Sequence, residues 1–294
     1  MPEKLKQRIN FFTPGFYLLK NESYHRGLGA FAVSKSGLKI FDDSPRIYKY
    51  QIDHPEELDV FDRKHMSTFN PGTALHTYIL ERDNYEKEIY IIEDKVSISA
   101  TLKNTVRMMG KTPIRMATHE MILAMDKLLH SGEHETAREA LEDPNKCIEY
   151  SGFWKDDETG IWLKTRPDLL LDVPFIWDIK THGKGNTQEK WENEIVNYGY
   201  HMQAAMALDG CTAITGIEHK FFGHIVFEID QPPYDIAVYI LDQDIIEFGR
   251  LKYKDILYRL AGCLEKDKWP GRHPDEPIRV NAPSWAIKQP KYYE

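Results

Sequence analysis

Hydrophobic positions along the chain change their period several times, and each change marks a predicted element. Residues 1–33 mix aromatic, glycine and polar side chains without a clean period and read as irregular. Ser34 fits an N-cap for a helix through Leu38, Ile40 and Phe41, which must end before Pro45; Arg46 to Gln51 continue as a second short helix. Residues 52–70 read as a loop with one helical turn near Pro55. Pro71 then opens a helix whose apolar positions Ala74, Leu75, Tyr78 and Ile79 recur at spacings of three and four. His76 falls on another stripe, and the pattern alone gives it no role. Residues 88–93 predict a short strand. From 102 to 143 the pattern reads helical, with Met121, Ile122, Met125, Leu128 and Leu129 on one face, a stripe most simply explained as core.

The middle of the chain switches to strands. Residues 147–154 and 161–171 are joined by the turn-forming Asp156-Asp157-Glu158-Thr159-Gly160, and 175–181 follow after Asp172-Val173-Pro174. Glu149, Asp168 and Asp178 therefore fall on three consecutive strands of an expected meander. After the loop at 182–186, a helix is expected over 188–208, with Trp191, Ile195, Tyr198, Met202 and Ala205 on its buried face. Two strands (217–229 and 234–241) and a long amphipathic helix (243–266, burying Ile246, Leu251, Leu257, Leu260 and Leu264) complete the pattern. The tail from Trp269 has little period and is expected to pack on the surface or on a neighbouring subunit. No internal repeat or low-complexity tract interrupts the chain.

The chemistry concentrates between Leu163 and Thr181. Side chains on a strand alternate faces, so Asp178 and Lys180 share a side while Ile179 turns away. Asp168, separated from Asp178 by nine intervening residues, can lie opposite them across the hairpin. Two carboxylates and an ammonium on one face suit a divalent cation and a phosphate: magnesium binds through one or two carboxylates plus substrate phosphate. The lysine can orient a water or stabilise phosphoryl oxygens. A bland reading also accounts for these residues, with Pro167-Asp168 as a turn and Asp178 with Lys180 as a surface ion pair.

Composition changes this picture little. At 294 residues, 41% hydrophobic and 29% charged, the chain can bury a sizeable core. No apolar run approaches the roughly 18 residues of a membrane span, and the N-terminus lacks the apolar core of a signal peptide. Cys147, Cys211 and Cys263 are scattered and odd in number, which suits reduced thiols in the cytoplasm rather than a disulfide framework or a metal cluster. Charge is uneven. The first fifty residues hold nine Lys or Arg against four acids, so that segment is +5 and the remainder of the −8 chain is −13. A basic lobe beside an acidic body fits local phosphate contacts; a merely solvated basic face fits the charge equally.

Pro167-Asp168 followed by Asp178-Ile179-Lys180 resembles the PD-(D/E)xK nuclease signature. Four stretches sharpen the likeness to RecE-type (exonuclease VIII-like) phage exonucleases: Ser34-Lys35-Ser36-Gly37-Leu38 with Ser44-Pro45 and Tyr48; Gly72 to His76; Glu149-Tyr150-Ser151 through Lys180-Thr181; and Tyr198 to Gln203. The resemblance implies an α/β (α+β) restriction-endonuclease-like core, a central mixed sheet flanked by helices with helical N-terminal additions. It implies one domain over 1–294, with a mainly helical part (1–145) carrying His76, a catalytic core (146–241), and a C-terminal helix and tail (242–294).

Carried over by position, the resemblance makes Asp168 and Asp178 metal-binding carboxylates, with the Ile179 carbonyl and His76 as further ligands. Lys180 would position the attacking water, Glu149 would be an auxiliary metal or water contact, and Gln203 the glutamine of the helix motif. The family's tyrosine four residues after that glutamine is Ala207 here; Tyr200 reads either as its replacement or as core. The implied activity is a magnesium-dependent 5′-to-3′ exonuclease on linear double-stranded DNA, with manganese as a substitute. It would leave 3′ overhangs for a RecT-like single-strand annealing protein and work as a ring-shaped homo-oligomer in the cytoplasm of a bacterial host, encoded by a phage or prophage. The competing readings are a single-strand- or structure-directed endonuclease on the same core, a non-catalytic DNA-binding module, and a metal-dependent hydrolase of another substrate.

Overall fold

The computed structural model describes residues 13–25, 28–55, 71–97, 99–171, 174–183, 185, 187–273 and 276–282. Residues 56–70 of the loop expected over 52–70, the hairpin residues Asp172 and Val173, Lys184 and Asn186, the basic residues Lys4, Lys6, Arg8 and Arg26, and the tail beyond 282 lie outside them; Ile52 and Asp53 of that expected loop are helical.

In chain order the elements are β1 (Gly15–Tyr17), α1 (Asn21–His25), a 3-10 turn (Leu28–Phe31), α2 (Lys35–Asp43), α3 (Pro45–Asp53), α4 (Pro71–Leu80), α5 (Arg82–Glu88), β2 (Ile89–Ile92), α6 (Ala100–Met108), β3 (Thr112–Arg115), α7 (Met116–Leu129) and α8 (Glu135–Glu142). There follow β4 (Cys147–Ile148), β5 (Ser151–Lys155), β6 (Trp162–Thr165), β7 (Leu169–Leu170), β8 (Phe175–His182), α9 (Gln188–Asn197), α10 (Tyr200–Thr215), β9 (Phe221–Glu228), β10 (Asp235–Ile240) and α11 (Gln243–Lys266). The side chain of Ser34 caps α2 by accepting from the Gly37 amide. Ser44 does the same for α3, where Pro45 takes the first turn.

Several boundaries differ from the sequence expectation, each for a local reason. The helical stretch over 102–143 contains β3, which pairs in parallel with β2; Pro113 sits in this two-stranded ladder opposite Tyr90. The helix expected over 188–208 is two helices, because Gly199 takes a left-handed conformation (φ 71°) that an ordinary residue rarely adopts. Tyr198, placed on the buried face, is exposed at that break. Leu251 is also exposed, while Tyr253 and Ile256 of the same helix are buried.

The expected meander is two sheets. β1-β5-β6 form a three-stranded sheet, and β10-β9-β8-β7-β4 a five-stranded mixed sheet in which only β8 and β9 run parallel. Both arms of the hairpin closed by the 156–160 turn pass from one sheet to the other. The first arm leaves β4 and enters β5 at Glu149-Tyr150, and the second leaves β6 and enters β7 at Arg166-Pro167-Asp168. Glu149, expected on a strand, is therefore in the crossing, with φ 57°. Its amide donates to the Asp168 carbonyl at 3.2 Å, which ties the two crossings together.

The five-stranded sheet is packed on both faces. Trp177, Ile179, Ile225 and Phe227 bury against residues of α4, α7 and α8, among them Leu75, Ile122, Met125 and Leu141. Ile176, Phe222 and Val226 face the other way, into a core with Trp191, Met202, Ala205 and Ala207 of α9 and α10 and Ile246, Tyr253, Ile256 and Leu257 of α11. On this second side β8 and β9 also carry Asp178, Lys180, His182 and His224.

Candidate active site

Four elements converge where the hairpin arms cross. Asp168 sits in the second crossing, just before β7. Its Oδ2 accepts the Ile179 amide at 2.6 Å, and its Oδ1 lies 3.2 Å from His76 Nε2 of α4. The same His76 nitrogen is 3.5 Å from Glu149 Oε1. His76, Glu149 and Asp168 thus each present a donor atom within 4.8 Å of the others, a grouping able to hold a metal ion. The histidine that helical periodicity left without a role is placed here by the helix it rides on.

Asp178 is buried on β8 next to this group. Its Oδ1 accepts from Gln203 Nε2 of α10 at 2.6 Å, and its Oδ2 accepts from Lys180 Nζ. Both carboxylate oxygens are held, so its rotamer is fixed from two elements at once. The ammonium of Lys180 lies 4.8 Å over the ring of Tyr200. Tyr200 lines a pocket of about 300 Å³ together with Gly72, Thr73, His76, Ile179 and Lys180. Tyr200 is thus in the site as well as against the core, whereas Ala207 is buried in the apolar cluster.

Electrostatics reflect the crowding of acids. Burial, then the charge of Asp168, push the Asp178 carboxyl up to about 6 against the pull of Lys180. Burial and Asp168 likewise raise Glu149. Burial alone would lower His76, but its hydrogen bond to Asp168 and the surrounding carboxylates hold it up at about 9. Asp168 stays below its ordinary value: burial opposes this, and the His76 contact and nearby Lys180 outweigh it. Carboxylates that repel one another in a buried cleft are what a divalent cation relieves.

Residues without an assigned role in the sequence complete the site. Arg166 Nη1 stands 3.5 Å from Glu149 Oε2, while its Nε and Nη2 donate to Ser151 Oγ and its Nη2 to the Leu19 carbonyl. Its guanidinium stacks 4.1 Å from the Tyr24 ring centre. Lys35 donates to the Tyr198 carbonyl at 3.1 Å and lies 5.5 Å from the Tyr200 ring centre. Burial and the neighbouring Lys180 and Lys39 lower its pKa to about 8. With Lys164, Gln203 and Glu149, these two cations line a second cleft of about 300 Å³. Both lie inside stretches whose order carries the resemblance, so the signal was present, but nothing in the spacing fixes their direction.

A model of the family described as a PDDEXK-like domain of unknown function (DUF3799) matches residues 34–275, and the chain belongs to that family. No curated protein matches the sequence. Among solved structures, a "Putative exonuclease" from Eubacterium rectale aligns over 92% of this chain and 98% of its own, at 13% identity and a TM-score of 0.52, and so shares the fold. Two weaker likenesses carry no argument. One is SSO0001 (12% identity, 92% of this chain and 85% of that one, TM-score 0.33). The other is an alkaline exonuclease from Laribacter hongkongensis (16% identity, 66% and 91%, TM-score 0.24). The restriction-endonuclease-like mixed α/β core expected from the sequence is the observed fold.

Proposed function

We propose that this PDDEXK-like protein is a divalent-metal-dependent nuclease that hydrolyses DNA phosphodiesters from ends. The observation that carries the reading is the meeting of Asp168, Asp178 and Lys180 with His76 and Glu149 at one crossing point that opens to a pocket. His76, Glu149, Asp168 and Asp178 are the residues that would hold the metal, with Ile179 at hand in the pocket wall. Bound there, magnesium or manganese supplies Lewis-acid polarisation of the phosphate and a more acidic water.

The chain's own groups do the rest. Ile179 N–H and His76 orient Asp168, and Gln203 orients Asp178. Arg166 steadies Glu149. Lys180 reaches from the same face as Asp178 to donate to a phosphoryl oxygen or to the attacking water, and its position over Tyr200 keeps the ammonium at the pocket wall. Lys35 and Arg166 offer positive charge to the strand that the pocket admits.

The finer reading is a RecE-type enzyme: a 5′-to-3′ exonuclease on linear duplex DNA, leaving 3′ overhangs for a RecT-like annealing protein. It would work as a ring-shaped homo-oligomer in the bacterial cytoplasm, from a phage or prophage gene. Its support is the ordered run of motifs from Ser34 to Gln203, whose functional side chains converge in space. Among the described residues no helix is long and apolar enough to cross a membrane.

The test uses linear duplex labelled at the 5′ or 3′ end beside a covalently closed plasmid, with magnesium, manganese or EDTA. Early release of the 5′ label in either metal, an intact circle and no reaction in EDTA are expected. Cut circles would replace the exonuclease by an endonuclease on the same core, and DNA binding without cleavage in any metal would leave a binding module.

A further inference from the structure

The break between α9 and α10 sets an exposed aromatic ring beside the site. Tyr198 closes α9, and Gly199, with φ 71°, turns the chain into α10. A Cβ at Gly199 would meet nothing within 4 Å, so the glycine serves the backbone turn and not a close approach. The turn is fastened from α2. Lys39 Nζ donates to the Asn197 carbonyl and Lys35 Nζ to the Tyr198 carbonyl, each at 3.1 Å. Cations suit the last carbonyls of a helix, and here they fix the backbone that carries the Tyr198 ring.

Three aromatic rings step outward from the core through this turn. Trp191 is 1% exposed, and Tyr200 packs 5.8 Å from it, centre to centre. Tyr198 stacks on Tyr200 at 5.6 Å, with 26° between the ring planes, and is itself 52% exposed. Tyr200 is the ring that carries the Lys180 ammonium and lines the pocket. Tyr198 therefore continues the aromatic wall of the pocket onto the surface. A ring more than half in water adds little to the core. What it offers is a flat π surface, backed by a second ring and held by a rigid turn.

The surroundings specify what such a surface takes. Lys39 is exposed, and Lys35 lies 5.5 Å from the Tyr200 ring centre. An ammonium has more donors than the one each lysine spends on a carbonyl. A flat ring next to cations, at the edge of a pocket built for a phosphate, fits a nucleotide: the base stacks and the phosphate meets the charge. A base inside a duplex has neighbours on both faces, so the ring suits an unpaired base, whatever its sequence. We propose that Tyr198 is a stacking platform for an unpaired nucleobase of the DNA strand entering the site, with Lys35 and Lys39 supplying charge for its phosphates. The substrate rests on the nuclease reading, and the platform adds a contact outside the pocket.

The test binds the full chain, in calcium instead of magnesium, to linear duplex DNA with a short unpaired end. The fluorescent base aminopurine is placed in turn at each unpaired position. Its emission should be quenched at one position by the wild-type protein. Tyr198→Ala should lose that quenching and bind roughly tenfold more weakly, the size of one stacking contact. An abasic nucleotide at that position should weaken the wild-type protein by the same factor and leave Tyr198→Ala unchanged. Tyr198→Trp should bind as the wild type does. If Tyr198→Ala does not fold, Tyr198→Leu, which keeps apolar bulk and removes the flat face, takes its place. Wild-type affinity in the alanine variant, or an abasic penalty as large in the variant as in the wild type, overturns the platform. Coupling between ring and base with no cleavage in any metal would keep the platform and sink the nuclease reading. Cleavage without coupling would do the reverse, and a protein that binds no DNA would lose both.

Discussion

Trp177 and Ile179 point to one side of β8, Asp178 and Lys180 to the other, and both sides are covered by helices. On the first side these residues pack into an apolar cluster, from Leu75 on α4 to Ile225 and Phe227 on β9. On the second, the same two strands bury a carboxylate and two imidazoles and hold a half-buried ammonium, beside an apolar core shared with α9 and α10. Burial is common to both sides, and the difference is what burial does. Removing apolar area from water stabilises the fold, whereas burying charge costs stability unless partners recover it. Asp178 keeps two partners and still has its pKa pushed up. One side of the sheet thus stabilises the fold by apolar packing, and the other, beside an apolar core of its own, accepts a stability cost to keep charged groups in place.

Substitutions can separate the two sides. The largest effect is expected from Asp178→Asn, which keeps shape and one of the two acceptor oxygens but not the charge. Cleavage should fall on the order of a thousandfold, the scale seen when a group stabilising developing charge is lost. The thermal midpoint should hold or rise, because a strained buried carboxylate has gone. A folded Asp178→Asn protein with wild-type kcat would break the assignment. On the opposite side, Ile225→Ala should cost about 2–5 kcal/mol of unfolding free energy, the range for large-to-small core changes. Its kcat per folded molecule should stay at the wild-type value. Gly223→Ala belongs to the same side: a Cβ there would stand 2.3 Å from the Trp177 ring. About 1–3 kcal/mol of overpacking is expected, read by denaturant midpoint at constant m-value. A loss of cleavage in either apolar-side variant beyond its loss of folded protein would blur the separation.

This division was partly legible in the sequence. The period-two alternation that sets Asp178 and Lys180 against Ile179 is local, and it survives intact in the sheet. The crossing of both hairpin arms between two sheets is not local. Residues 147–154 and 161–171 alternate smoothly enough to read as whole strands, which sets Glu149 on a strand, whereas its positive φ puts it in the crossing between β4 and β5. His76 shows the converse. Its helix was legible from periodicity, but its role depends on where that helix docks, and only the resemblance pointed to it. Tyr200, which reads either as a replacement for the family tyrosine or as core, lies against Trp191 and also offers a face to Lys180. Gly110 and Pro113 stand between α6 and the methionine stripe of α7, and a helical reading over 102–143 passes over them. The breaker residues were the better guide there.

The smallest expected effect is pH dependence, and it has a different source on each side. In EDTA, Asp178 has a folded value of about 6, above that of an ordinary carboxyl. The folded state therefore holds this proton more tightly than the unfolded state does. Its contribution is most favourable below the unfolded value and is lost as pH rises through about 6. His76, held at about 9, adds stability that is complete below the ordinary histidine value and fades as pH rises through about 9. Both groups make the charged side less stable toward alkaline pH, and Asp178→Asn should remove the lower of the two steps. The helices over the apolar side carry an exposed counterpart. His130 lies 3.0 Å from Glu142 and 2.7 Å from the Asp126 carbonyl, contacts that raise its pKa. Its stabilisation is likewise present below the ordinary histidine value and lost above it. Because the pair is solvated and screened, removing it by His130→Gln should move the thermal midpoint at pH 6 by about a degree or less. Melting curves from pH 4 to 9 for the wild-type protein and these two variants would test the contrast. A His130→Gln shift as large as that of Asp178→Asn would mean that solvent-exposed pairs, not buried charge, govern the pH response.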